Sequence, residues 1–329
     1  MGADYKPPFP YFGGKSGIAS MVWDALGDVD SYTEPFFGSG AVLFLRPESH
    51  VRYVENVNDA DGFVSNFWRA LKADPDAVAD AADWPVNEAD LHARHLWLNG
   101  QRERITERLM GDPDFYDAKA AGWWCWGLCC WIGSGWCSGR GPWQSVDGVM
   151  VDTRQLPHLG SAGRGVNRQL PHLGDAGRGV NRKRPEAIAE YMRGLAERLR
   201  NVRVCCGDWS RVCGPTPTTG HGIAGVFLDP PYADTAKRTS DLYAVDSLSV
   251  AHAVRGWAIE NGSNPAMRIV LAGYDGEHKM PDDWRTVEWK AQGGYGSQGE
   301  GDGRTNAAKE RLWLSPHCID AEKAAGLFA

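Results

Sequence analysis

No stretch of the chain approaches the roughly eighteen consecutive apolar residues of a membrane-spanning helix, so a span of that kind is not expected. Cysteine is sparse, 8 in 329 residues, which excludes a disulfide-built scaffold. Paired Cys-x-x-Cys knuckles are missing, and with them the usual signature of a structural zinc site; no metal is expected. Basic residues are in deficit: 35 Lys and Arg against 42 Asp and Glu give a formal net charge of −7, at first sight a poor match to phosphates. The opening Met1-Gly2-Ala3-Asp4-Tyr5-Lys6 lacks both the basic and apolar regions of a secretion signal and the Ser/Thr of a myristoylation signal, which points to the cytoplasm. Two nucleotide signatures also fail. Gly13-Gly14-Lys15-Ser16 would need a glycine where Phe9 stands, and Gly38-Ser39-Gly40 has Leu43 in place of a third glycine.

What is present is a chain that is 43% apolar, enough for one large core and a smaller unit beside it. Its charge is unevenly spread. From Asp152 to Arg184 there are seven Lys or Arg and two Asp, while Leu71 to Ala120 is acidic, so a basic stripe lies on an acidic body.

The most informative stretch is Asp229-Pro230-Pro231-Tyr232, which ends the apolar run Gly225-Val226-Phe227-Leu228. A short β-prone run halted by two prolines reads as a buried strand that delivers its last residues to a sheet edge. A carboxylate, a rigid carbonyl and an aromatic ring arriving together suit the grip of an amino group on a flat heterocycle. Asp229 accepts one N–H, the Pro230 carbonyl accepts the other, and Tyr232 stacks on the ring.

Upstream, Ser31–Phe36 reads as a strand and Phe37–Phe44 as a tight turn into a helix, with Gly38 and Gly40 allowing a ligand to approach the backbone. Val51–Val54 makes a second strand, and Glu55, Asp59 and Asp61 compete for a ribose diol some twenty residues past the glycine turn. Phe63–Trp68 with Leu71 is the packed face of a helix. Residues 72–119 are helical in pattern, and His92 and His95 lack acidic or Cys partners at ligand spacing, so both read as surface.

Six of the 15 tryptophans fall between Trp123 and Trp143, together with Cys125, Cys129, Cys130 and Cys137. Core packing is the leading reading for the tryptophans, ahead of stacking on unpaired bases. Gln155–Arg168 and Gln169–Arg182 are a tandem duplication differing at one position. Its Arg and Asn side chains either read base edges and phosphates or sit in a duplicated linker. Further on, Pro185–Leu199 is an amphipathic helix and Val202–Trp209 a strand. Polar residues 233–245 follow Tyr232, then come a helix over 251–260, a strand over 268–273 and a terminal strand pair at 284–290 and 311–315.

Four ordered blocks carry a resemblance: Pro8–Lys15, Glu34–Gly40, Asn58–Asp61 followed by Asn66-Phe67-Trp68, and Asp229–Tyr232. With these the chain resembles the Dam-type (D12 class) N6-adenine-specific DNA methyltransferases. The resemblance implies an α/β, Rossmann-like S-adenosylmethionine-dependent sheet, catalytic over residues 1–71 and 183–329, with a smaller inserted DNA-recognition lobe at 72–182 that holds the repeat 155–182. It implies S-adenosylmethionine held by Tyr11, Lys15, Glu34, Phe36, Gly38, Gly40, Asp59, Asp208, Trp209 and Asp229. Asp229, Pro230, Pro231 and Tyr232 would be catalytic on a flipped adenine. The partner would be double-stranded DNA, contacted by Arg164, Arg168, Arg178, Arg182, Lys237 and Arg238, the protein acting as monomer or weak dimer in a bacterial cell or a phage-infected host. Methylation of cytosine N4 or of RNA adenine stays open as the alternative.

Overall fold

The computed structural model describes residues 7–11, 15–48, 54–131, 136–137, 143–146, 149–152, 186–231, 249–289 and 310–320. In chain order the elements are α1 (Ala19–Leu26), β1 (Ser31–Glu34), α2 (Ala41–Phe44), β2 (Val54–Asp59), α3 (Gly62–Ala73), α4 (Pro75–Ala82), α5 (Glu88–Gly111), α6 (Ala118–Cys130), β3 (Trp143–Val146), β4 (Val149–Asp152), α7 (Glu186–Arg198), β5 (Val202–Cys206), β6 (Ala224–Leu228), α8 (Val250–Gly262), β7 (Met267–Tyr274), β8 (Arg285–Glu288) and β9 (Glu310–Leu314).

Seven strands form one sheet in the order β5-β2-β1-β6-β7-β9-β8, and β3 pairs with β4 in a separate antiparallel ribbon. The five strands from β5 to β7 run parallel; β9 returns antiparallel to β7, and β8 antiparallel to β9. β6 lies at the centre with every residue buried, as a parallel strand covered on both faces requires, whereas edge strand β8 alternates between half-buried and exposed.

Side chains sort by the two-residue period of a strand. Ala224, Val226 and Leu228 of β6, with Ile269 and Leu271 of β7 and Trp313 of β9, pack against Val254 and Ala258 of α8. Phe227, Val270, Ala272, Leu312 and Leu314 face the other way, into the cluster that holds α1 and α3. The result is an α/β fold with a mostly parallel seven-stranded sheet, as the resemblance implied.

The inserted lobe is not shown among the described residues. Helices α4, α5 and α6 contribute Val78, Ala79, Leu98, Ile105, Trp124 and Trp126 to the same cluster as Phe67 and Trp68 of α3. Trp124, Trp126, Trp131 and Trp136 are buried there, as are Cys125, Cys129, Cys130 and Cys137, in accord with core packing. His95 corrects the surface expectation. It is 1% exposed, stacked on Trp131 at 4.9 Å, and burial pushes its pKa down to about 4. The chain after α6 folds back across α5, which the spacing of charges on α5 does not reveal. The repeat 155–182, with Arg164, Arg168, Arg178 and Arg182, lies outside the described residues, as do Tyr232, Lys237 and Arg238.

Candidate active site

The five parallel strands end at one edge of the sheet, with Glu34, Asp59, Cys206, Leu228 and Tyr274 as their last residues. Between β1 and β6 the direction of strand order reverses, and such a switch point leaves a crevice beyond the strand ends. Expected site residues that are described lie at this edge; Tyr232 is outside the described residues. Asp229 and Pro230 leave β6 beside Pro35–Gly40, which leave its neighbour β1.

The glycine turn is held from three directions. Gly38 and Gly40 have φ of +49° and +72°, a region in which L side chains are strained. A Cβ on Gly38 would lie 2.8 Å from the ring of Tyr11, which caps the turn. Gly40 closes the turn on Phe37 (N···O 2.9 Å) and opens α2, which is a single helical turn. Below, the Trp68 indole donates to the Gly38 carbonyl at 2.8 Å. From the side, the Gly38 N–H donates to Asp59 Oδ2 at 2.9 Å, while Asp59 Oδ1 accepts from the Asp61 N–H at 2.9 Å. Burial raises the Asp59 pKa to about 7, against the opposing pull of these backbone donors.

The three acids that competed for the ribose are separated by their partners. Glu55 sits 3.0 Å from Arg46 and 2.6 Å from Arg198 in a buried cluster. Asp61 caps α3 by accepting from the Phe63 N–H and also takes a hydrogen bond from Arg102 at 3.0 Å. Asp59 alone of the three contacts the glycine turn. Asn58, which opens the third resemblance block but carries no expected role, donates to the carbonyls of Pro35 (3.1 Å) and Gly207 (3.0 Å), tying the exits of β1 and β5 together.

Beyond β5, Asp208 is exposed and caps the 3₁₀ turn Trp209–Val212, accepting from the Ser210 N–H at 2.9 Å. Trp209 is half-buried and lies nearly parallel to Phe36, centroids 6.4 Å apart. An exposed carboxylate next to two half-exposed rings offers a polar edge and flat faces to a purine.

Opposite these, the Lys15 ammonium is 3.0 Å from Asp229 Oδ2 and 3.8 Å from Glu310 Oε2. Lys15 is 4% exposed, so its charge is answered by carboxylates rather than by water. Burial raises the Asp229 pKa above the ordinary carboxylate range, and Lys15 opposes that rise. Glu34, buried at the end of β1, accepts from the Tyr32 hydroxyl at 2.9 Å; burial lifts its pKa strongly, with a further push from Asp229. Pro230 is buried and Pro231 half-buried.

Residues 11–98 match the family model described as D12 class N6 adenine-specific DNA methyltransferase. The matched span contains Tyr11, Lys15, the glycine turn and Asp59; Asp208, Trp209 and Asp229 lie outside it. No curated protein matches the chain.

Proposed function

From the D12 class match over residues 11–98, we infer that this chain is an S-adenosylmethionine-dependent DNA methyltransferase acting on adenine N6. The observation that carries the reading is that Asp229 leaves β6 and the Gly38–Gly40 turn follows β1, the neighbouring strand, at the switch point of a mostly parallel sheet.

S-adenosylmethionine, when bound, supplies an electrophilic sulfonium methyl. The residues present fit it. Tyr11 packs directly on the Gly38 backbone, where a side chain would collide with it, which sets an aromatic ring beside the glycine turn for the ligand, while Phe36, Asp208 and Trp209 offer an adenine subsite. Asp59 acts through its hold on the Gly38 N–H and presents its carboxyl to the ribose.

Adenine reaches such a site only when flipped out of the duplex. Asp229 then accepts one N6–H through the oxygen turned away from Lys15, and the Pro230 carbonyl accepts the other. Two acceptors draw the conjugated nitrogen toward pyramidal geometry and free its lone pair. Tyr232 stacks on the base, with Pro231 stiffening the approach. Holding two reactants in place contributes on the order of 7–11 kcal/mol to such a reaction. The protein provides position and charge, and the proton leaves to water afterwards.

The finer partner assignments belong to the same reading. Residues 72–182 form the target-recognition part of the chain. Arg164, Arg168, Arg178, Arg182, Lys237 and Arg238 contact DNA, and the enzyme works as a monomer or weak dimer. A protein with Arg164→Ala and Arg178→Ala should bind DNA more weakly and with a shallower salt dependence.

The deciding experiment incubates unmodified plasmid with S-adenosylmethionine and the protein, followed by nucleoside mass spectrometry. N6-methyladenine should accumulate with wild type and vanish with Asp229→Ala when compared per folded molecule. Modified cytosine in its place would overturn the base assignment, and an active Asp229→Ala would remove that residue from catalysis.

A further inference from the structure

We propose that Glu310 is a positioning residue of the methyl-transfer site, holding the Lys15 ammonium against one oxygen of Asp229 from strand β9. The inference deepens the reading above and rests on it. Because β9 runs antiparallel to β7, its first residue lies at the carboxyl edge of the parallel strands, and Glu310 pairs with Tyr274, the last residue of β7. Glu310 is 7% exposed and Lys15 4% exposed. The ammonium stands 3.0 Å from Asp229 and 3.8 Å from Glu310, so one cation serves two carboxylates contributed by different strands.

This arrangement does two things that a Lys15–Asp229 pair alone would not. Lys15 is in full contact with one Asp229 oxygen, and Glu310, on the far side of the same ammonium, fixes it on that oxygen, so that the second Asp229 oxygen can face an amino group. It also makes the three side chains net negative when ionised. An amine acquiring a methyl group develops positive charge, and a fixed negative cluster beside it stabilises that charge without reorganisation. The charged or titratable groups facing Asp229 are then Lys15, Glu34 from β1 and Glu310 through Lys15. Glu310 does not touch the base.

The test compares Glu310→Gln and Glu310→Asp with wild type in single-turnover methyl transfer across pH. The carboxyl carbon of Asp229 is titrated by carbon-13 NMR in the same proteins. In Glu310→Gln, kcat should fall about tenfold while KM for DNA and for S-adenosylmethionine stays within about twofold. The acid limb of kcat and the Asp229 midpoint should both move to lower pH, because Lys15 then answers Asp229 alone. Glu310→Asp should recover part of the rate and lie between the two in its midpoint.

Unchanged kcat with an unmoved acid limb in Glu310→Gln overturns the proposal. So does a rate loss matched by a lower melting temperature with no shift of the Asp229 midpoint, which marks a merely structural role. If Glu310→Gln does not fold, the intermediate midpoint expected of Glu310→Asp decides the matter. A wild-type protein that transfers no methyl defeats the functional reading, and the Asp229 titration then still decides the role of Glu310.

Discussion

The Trp68 indole N–H donates to the carbonyl of Gly38 at 2.8 Å, so the buried face of α3 supports the turn that the cofactor must approach. Trp68 is fully buried among Phe9, Phe37, Phe44 and Phe67. Trp68→Phe keeps an aromatic ring there but leaves the carbonyl without its donor. An unsatisfied buried acceptor costs about 1–3 kcal/mol. The variant should melt lower and bind S-adenosylmethionine about tenfold more weakly by calorimetry; unchanged affinity would mean that the turn holds its shape alone.

Gly38→Ala probes the same turn from above. An alanine at φ +49° is strained by about 1–2 kcal/mol, and its Cβ would sit 2.8 Å from the Tyr11 ring. Cofactor binding should be lost in the single variant. Adding Tyr11→Ala removes the collision but not the backbone strain, so the double variant should regain only part of the affinity. Full recovery would assign the whole defect to crowding.

Much of this site is legible in sequence because its parts sit where local patterns change. Asp229 follows an apolar run, Gly38 and Gly40 follow a β-prone stretch, and proline stops the strand that delivers them. β6 and α7 fall close to their expected ranges for the same reason: β6 is apolar throughout, and α7 repeats its apolar residues at helical spacing. The strand expected at Val51–Val54 instead runs as β2 over Val54–Asp59, its polar residues carried into the sheet by pairing with β1 and β5, and the β3–β4 ribbon has no counterpart among the expected elements; residues 51–53 lie outside the described residues. Tertiary pairings leave no such mark. Glu310 meets Lys15 only because β9 reverses against β7 at the other end of the chain. Asn58 belongs to a recognisable block, yet nothing in the sequence shows that its side chain stitches two strand exits together. Glu55 resembles Asp59 in sequence. What separates them is the pair of arginines that fold brings to Glu55, one from beyond α2 and one from α7.

Those arginines carry a stability prediction. Glu55 and Arg46 are each 4% exposed, and Arg198 closes the cluster with contacts of 2.6 and 2.8 Å to the two Glu55 oxygens. Removing one charge from a buried cluster strands the others, a cost of roughly 3–5 kcal/mol. Glu55→Gln should therefore shift the urea midpoint strongly downward. Glu55 pairs with Tyr32 and Val202 at the end of the sheet remote from Asp229, so the methyl-transfer rate per folded molecule should be preserved. A rate loss exceeding the loss of folded protein would tie the cluster to the chemistry after all.

Asp59 gives a prediction in pH. Its pKa in the fold is about 7, above the ordinary aspartate value of 3.8, because burial disfavours the ionised carboxyl. Between those two values the folded protein holds a proton that the unfolded chain has released. Stability contributed by this group therefore falls as pH rises from about 4 to about 7 and is flat above that. Asp59→Asn cannot titrate. It keeps one acceptor for the Gly38 or Asp61 N–H and loses the other. The unfolding free energy of wild type minus that of the variant should then decrease steadily across this window and level off beyond it, as measured by urea titrations at a series of pH values. Asp229 and Glu34 titrate in both proteins, so their contributions cancel in the difference. A flat difference would mean that the carboxylate is ionised through the whole range, held by its two backbone donors more strongly than burial opposes it.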